Sequence, residues 1–261
     1  MAIIGAILGD ISGSQYEFNR PQDLKYKTCE LFNDNCIYTD DTVMTLAVKY
    51  AIKNNISFAE SYKIFGRKYP DVGYGGMFEN WIRFDNTKPY NSFGNGSAMR
   101  CSYIGEYFNT EKEVIEWATK SAECTHNHPE GIKGAVVTSM CVYMARMGAS
   151  KKEIYEYVKA QYPQNEYKYS IEYKLNEYRN SYIWDVTCQG SVPVAIRCFL
   201  ESEDYESFLR NVYSIPCDMD TLCAIGGGIA EEFYSGTGLN ENELLKRYLD
   251  KELYRIVVKN K

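Results

Sequence analysis

The segment from Gly131 to Met147, rich in Val, Ala, Met and Tyr, reads as a helix without a polar face. A helix apolar nearly all round is one that other elements bury. Pro129 stands where a first-turn proline belongs, because the N–H it lacks would have no helical partner there. Helical periodicity dominates the rest of the chain as well. Asp40-Asp41-Thr42 gives a start signal, and Val43, Ala47, Tyr50 and Ala51 then mark one apolar face. Further helices are predicted over Ser57–Lys68, Glu111–Cys124, Lys151–Gln161, Ser191–Leu200, Tyr205–Ser214, Leu222–Tyr234 and Glu241–Tyr254. Strand signals are weak: no Asn-Gly or Asp-Gly pair joins alternating apolar runs, and Asn95-Gly96 falls in a glycine-rich loop. No linker, low-complexity tract or internal repeat divides the 261 residues. The expectation is one all-α domain over residues 1–261.

Composition narrows the function classes. The net charge is −6 and no dense basic stripe appears; Lys151-Lys152 and Lys246-Arg247 read as solvated helix faces. Sequence-tolerant nucleic-acid binding needs many Lys and Arg contacts to phosphates, so it is a poor fit. Nine cysteines, scattered from Cys29 to Cys223 without a C-x-x-C pair, read as reduced and mostly buried thiols. The apolar start from Ala2 to Leu8 is short and has no basic residues before it, unlike a signal peptide. No window approaches the ~18 apolar residues a membrane span requires. A cytoplasmic monomer with no membrane partner is expected. Of 24 tyrosines, many lie between Tyr155 and Tyr182 among Lys, Glu and Asn. That stretch is expected to be exposed and amphipathic, with tyrosine as a half-polar packing residue and not as a nucleotide-stacking platform.

Glycines gather at junctions: Gly9 and Gly13, Gly73 to Gly76, Gly94 and Gly96, and Gly226 to Gly228. They serve turns and close helix packing, or let a backbone approach a ligand. Two acidic motifs, Thr39-Asp40-Asp41-Thr42 and Asp218-Met219-Asp220-Thr221, each precede an apolar helix. Either alone is read first as an N-cap. If the two met, Asp40, Asp41, Asp218 and Asp220 would crowd four carboxylates. Each like-charged pair at ~4 Å would cost about 4 kcal/mol at an effective dielectric near 20. The pKa values would then rise, or a cation would sit between them. Thr39 and Thr221 add hydroxyls, so every donor is a hard oxygen, which suits Mg²⁺, Mn²⁺ or Ca²⁺ and not zinc. The only histidines are His126 and His128, and the chain lacks a G-x-S-x-G elbow, which disfavours Ser-His-Asp chemistry. His126 is either a capping or core histidine, or a neutral hydrogen-bond donor to a ribose or phosphate.

The ordered series Gly9-Asp10-x-x-Gly13, Thr39-Asp40-Asp41-Thr42, Gly94-Asn95-Gly96-Ser97-Ala98-Met99-Arg100, Thr125 to Gly131 and Asp218-x-Asp220-Thr221 resembles the ADP-ribosylglycohydrolase family. That family includes dinitrogenase reductase-activating glycohydrolase and the ADP-ribosyl-acceptor hydrolases. The resemblance implies an orthogonal all-α fold with a metal site at the base of a cleft, usually holding two Mg²⁺, with Mn²⁺ as a substitute. It implies metal ligands at Thr39, Asp40, Asp41, Asp218, Asp220 and Thr221. Asn95, Gly96, Ser97 and Met99 resemble the loop along the ribose and diphosphate path, and His126 resembles the histidine that contacts bound ADP-ribose. Glu17 matches an acidic residue near the second metal or in catalysis.

The implied reaction is hydrolysis at the anomeric carbon of ADP-ribose, with Asp40, Asp41 or Glu17 as acid or base. The expected partner is an ADP-ribosylated protein or small molecule, arginine being the favoured acceptor and serine or a nucleotide the others; ADP-ribose is the product. The chain departs from the family where Pro216-Cys217 and Met219 replace two glycines and a Ser or Thr. Bulk there is expected beside the reacting ribose. It also motivates an alternative: a catalytically weak ADP-ribose-binding or immunity protein of the same fold.

Overall fold

A computed structural model describes residues 2–84 and 88–259. Among them fifteen helices follow one another. They are α1 (Ala2–Ser14), α2 (Asp40–Asn54), α3 (Phe58–Lys68), α4 (Gly76–Arg83), α5 (Gly96–Met99), α6 (Ser102–Tyr107), α7 (Glu111–Glu123) and α8 (Pro129–Arg146). After these come α9 (Lys151–Gln161), α10 (Leu175–Ser181), α11 (Cys188–Leu200), α12 (Tyr205–Tyr213), α13 (Met219–Tyr234), α14 (Glu241–Tyr248) and α15 (Lys251–Val258). No strand occurs among the described residues; a lone antiparallel bridge pairs Gly94 with Thr187.

Local chemistry sets these boundaries. Ser57, Thr110, Ser150 and Asp204 each accept the N–H of the residue three positions on, the interaction that starts a helix. Pro129 occupies the first turn of α8 as predicted, and His128 caps it by accepting the Glu130 N–H on Nδ1. The predicted Glu241–Tyr254 helix is in fact two. Leu249 is extended, and Asp250 accepts the N–H groups of Glu252 and Leu253 to start α15. The apolar spacing continues across this break, so periodicity alone does not reveal it.

The α8 helix is surrounded by α5, α6, α7, α9, α11 and α13, which accounts for its lack of a polar face. The α1 helix lies along α13 and is buried from Ala2 to Gly13. Its Gly5, Gly9 and Gly13 recur every four residues and so share one face. On that face they meet the backbone of Gly227, Cys223 and Asp220 respectively, an approach that any side chain would block.

The tyrosine-rich stretch differs from expectation. Tyr162, Tyr169, Tyr178 and Tyr182 are buried. Tyr169 packs on Tyr182 with ring centroids 4.6 Å apart. Three of the hydroxyls reach main-chain oxygens: Tyr182 to Gly190 at 3.0 Å, Tyr178 to Ser170 at 2.5 Å and Tyr169 to Ile183 at 3.3 Å. Tyrosine here builds core between α9, α10 and α11, with the polar tips of Tyr169, Tyr178 and Tyr182 satisfied and that of Tyr162 buried without a partner. All nine cysteines are free thiols, seven of them buried. No helix among the described residues is long and apolar enough to cross a membrane.

Candidate active site

Two helix N-termini converge on one buried spot. At the start of α2, the Thr39 hydroxyl accepts the Asp41 N–H at 3.3 Å, the N-cap that the motif suggests. The Asp40 N–H donates to the Val72 carbonyl at 2.9 Å, and two further donors turn to a residue from α1. Asp10 accepts the N–H groups of Thr39 and Thr42, each at 3.0 Å, and the Thr39 hydroxyl at 2.7 Å. A carboxylate is well placed there, since orphan N–H groups and the helix dipole both favour a negative charge. At the start of α13 the N-cap position is Asp218, but its side chain does not cap the helix. It accepts the Asn95 amide at 2.7 Å instead. The Thr221 hydroxyl donates to Asp41 at 3.2 Å, so the two acidic motifs meet across 180 residues.

The consequence is a cluster of like charges. Among the described residues, Asp10, Asp41 and Asp220 each offer an oxygen within 4.8 Å of one another, and so do Glu17, Asp218 and Asp220. Burial, then the charges of Asp10 and the other acids of the cluster, hold the Asp40 and Asp41 carboxyls well above the usual range. Burial, then Asp218 and Asp41, do the same to Asp220. Asp10 and Asp218 are also raised by burial, against hydrogen bonds that oppose the shift. Glu17, on the turn after α1, is pushed up to about 7 by burial and by Asp218. Carboxylates in this state ask for either protons or a cation. Asp41 Oδ1 is buried with no partner, and every donor in reach is a hard oxygen. The residues therefore fit a hard divalent cation.

The cluster forms the floor of a cleft of about 730 Å³. Glu17, Asp40, Asp41, Asn95, Gly96, Met99, His126, Asp218, Asp220 and Thr221 all line it. Two expected residues do not. Thr39 stands behind Asp41 with its hydroxyl engaged by Asp10. Ser97 is fully buried and donates to the Gly131 carbonyl at 2.7 Å, which ties the glycine loop to α8. That loop is held from its other side by the Asn95 N–H, which donates to the Val186 carbonyl at 2.8 Å. The expectation of bulk beside the ribose is corrected: Cys217 and Met219 point into the core, Pro216 is exposed, and none lines the cleft. Successive helix residues are turned by about 100°, so Asp220 and Thr221 face the cleft while Met219 faces away.

Sequence reasoning missed Asp10 as a site residue, although a lone aspartate within the apolar run of α1 was a legible signal. It also missed the rim. Phe18 and Trp184 stack across the mouth with centroids 5.9 Å apart and planes 18° apart, and both line the cleft.

Known proteins share this chain's sequence pattern and its fold. The family model described as ADP-ribosylglycohydrolase matches residues 1–243. The chain is 26% identical to ADP-ribosylhydrolase ARH3 of Homo sapiens over 89% of this chain and 84% of that protein. It is 25% identical to ADP-ribosylhydrolase ARH3 of Mus musculus, over 89% and 82% respectively. A solved structure, an ADP-ribosylglycohydrolase-related protein complex, superposes with a TM-score of 0.72. That likeness covers 98% of this chain and 93% of the other at 19% identity, and it establishes the fold. The protein is an all-α hydrolase built around an acidic cleft. It belongs to the ADP-ribosylglycohydrolase family.

Proposed function

We propose that this chain hydrolyses the bond between the anomeric carbon of ADP-ribose and an acceptor, with protein arginine as the first acceptor and serine, a nucleotide or a small molecule as others. The observation that carries this is the Thr221–Asp41 contact, which joins two distant acidic motifs at the floor of one cleft. The ions are proposed to be Mg²⁺, with Mn²⁺ able to substitute, held by Asp40, Asp41, Asp218, Asp220 and Thr221, with Thr39 orienting Asp41 from behind. Two overlapping acidic triads that share Asp220 support a pair of ions. When bound, such ions supply Lewis-acid polarisation of sugar hydroxyls and water.

The chain's own residues supply position and proton transfer. The Gly94–Gly96 loop and Met99 line the path of the ribose and diphosphate, with no side chain at Gly94 or Gly96 to obstruct it. Asn95 orients Asp218 and is itself fixed by the Ser191 hydroxyl at 3.0 Å. Glu17, Asp40 and Asp41 are the acid–base candidates, since all three carboxyls face the cleft. Glu17 sits on a turn and not within a helix, so it can follow a reacting atom at the mouth side of the cluster. Nine free thiols support a reducing, cytoplasmic setting. A weakly catalytic binding protein was favoured only by bulk at Cys217 and Met219, which lies outside the cleft.

The test is to incubate the protein with ADP-ribosylated arginine, serine and nucleic-acid substrates in Mg²⁺ and to measure free ADP-ribose. Release from the arginine substrate is expected. No release from any substrate, with the Mg²⁺-bound protein folded, would refute the proposal.

A further inference from the structure

The lining of the cleft includes a buried charge that the proposed reaction does not use. Arg100 follows α5 and is 1% exposed. Its guanidinium lies over the Tyr62 ring, 4.1 Å from the centroid, and near Phe78 at 5.6 Å. It has no carboxylate partner among the described residues. One nitrogen, Nη2, donates to the Ser121 carbonyl at 3.0 Å and to the Thr125 hydroxyl at 2.9 Å. Arginine cannot give up its proton here, so Thr125 Oγ1 always receives this bond.

The Thr125 hydroxyl has one hydrogen and two places to put it. The Ala122 carbonyl is 3.4 Å away and His126 Nδ1 is 2.8 Å away. The shorter, better-placed acceptor is the histidine, and a hydroxyl polarised by a guanidinium is a stronger donor. If Nδ1 accepts, the neutral ring carries its proton on Nε2. That nitrogen makes no hydrogen bond among the described residues and faces the glycine loop. A Cβ at Gly96 would lie 3.3 Å from it, and one at Gly94 would lie 3.7 Å away. His126 lines the cleft although it is 5% exposed.

We infer that Arg100 and Thr125 are positioning residues that lock His126 in the Nε2–H tautomer, so that it presents a fixed donor to an anionic phosphate oxygen entering the cleft. The identity of that anion as the diphosphate of ADP-ribose rests on the proposed function; the tautomer does not. Burial, with a smaller contribution from Arg100, holds the His126 pKa well below its usual value, so the ring is neutral when it donates. A neutral donor backed by a buried cation attracts an anion without being able to lose its role through titration near neutrality. The glycines at positions 94 and 96 are what leave Nε2 open to the cleft.

Only two histidines occur in the chain, so long-range ¹H–¹⁵N correlation of the ring nitrogens is unambiguous once His128→Gln identifies the second. The folded wild type is expected to show His126 neutral with the proton on Nε2. Thr125→Val should shift the Nδ1 resonance and weaken ADP-ribose binding about tenfold, the effect of losing one well-oriented hydrogen bond to a charged group. Thr125→Ser should restore both. Arg100→Met should disturb the ring resonances in the same sense. A proton on Nδ1 in the wild type overturns the inference even if every variant unfolds. So does Thr125→Val with wild-type ring resonances and ADP-ribose affinity. Wild-type protein that does not bind ADP-ribose would sink the functional proposal instead, while the tautomer would still be read directly.

Discussion

Gly13→Ala changes no charge, no ligand and no cleft-lining side chain, yet it should disable the site. A Cβ at Gly13 would lie 2.5 Å from the Asp220 Cα and 2.6 Å from both the Asp220 nitrogen and the Met219 oxygen. These are backbone atoms, which cannot swing aside. To reach an ordinary contact the first turn of α13 must retreat by ~1 Å, and Asp218, Asp220 and Thr221 move with it. Overpacking of this kind costs about 1–3 kcal/mol, and ~1 kcal/mol returns because alanine is the better helix former. The net loss of stability is therefore small, a Tm decrease of a few degrees at about 2–4 °C per kcal/mol. Activity is different: misplacing reacting groups by 1 Å costs on the order of 100-fold. The assay pairs hydrolysis rate and calorimetric Mg²⁺ affinity with helix content by circular dichroism. Gly66→Ala is the control, because its Cβ would press on the flexible end of Ile82 between α3 and α4, away from the cleft. It should lose stability and keep its Mg²⁺ affinity. A Gly13→Ala protein with wild-type rate and Mg²⁺ affinity would refute the claim that backbone contact sets the distance between Asp10 and Asp220.

Asp41→Ala and Asp220→Ala should abolish hydrolysis with helix content near wild type; unchanged Mg²⁺ affinity by calorimetry in either would remove that residue from the ligand set. Mg²⁺ should raise the Tm in a concentration-dependent way, because it binds only the folded arrangement, and EDTA should reverse the gain; a melting curve indifferent to both would contradict a cation site. Burial, above all else, pushes the Glu231 carboxyl up to about 8. A carboxyl raised on folding stabilises fully below its unfolded pKa, and that contribution disappears as pH rises through the folded value. Wild type should therefore lose stability between pH ~5 and ~9 by an amount on the order of a few kcal/mol, while Glu231→Gln should lack that slope in urea unfolding; parallel pH profiles would show that Glu231 is not protonated in the folded chain.

Much of the fold could be read from the sequence because helix starts here use local chemistry. Ser57, Thr110, Ser150 and Asp204 act on residues three positions away, and such signals survive without tertiary information. The ligand-type residues of both acidic motifs were legible for the same reason. What escaped depends on contacts between distant segments. Asp10 looks like a flaw in an apolar helix until Thr39 and Thr42 are placed against it. Tyr178 and Tyr182 lie among charged and polar residues and read as surface, whereas their hydroxyls find carbonyls that only the folded chain brings near. Ser97 was read as cleft-lining from its place in the glycine loop, but the rotation of a four-residue helix sends it toward α8. Direction around a helix that short leaves no period to detect.

The pairing of α1 with α13 has a consequence for biosynthesis. The α1 helix is buried along almost its whole surface. Its principal neighbour is synthesised roughly two hundred residues later, a wait of about 10–40 s at ordinary elongation rates. During that interval Ile3, Ile4, Ile7, Leu8 and Ile11 have no α13 to cover them. A nascent chain of this kind must hold α1 in a provisional collapse or hand it to a chaperone, and the acidic floor cannot form until Thr221 has emerged. Ribosome-bound fragments ending before Met219 should therefore be the species most prone to aggregate, and a truncation that removes α13 should leave no activity.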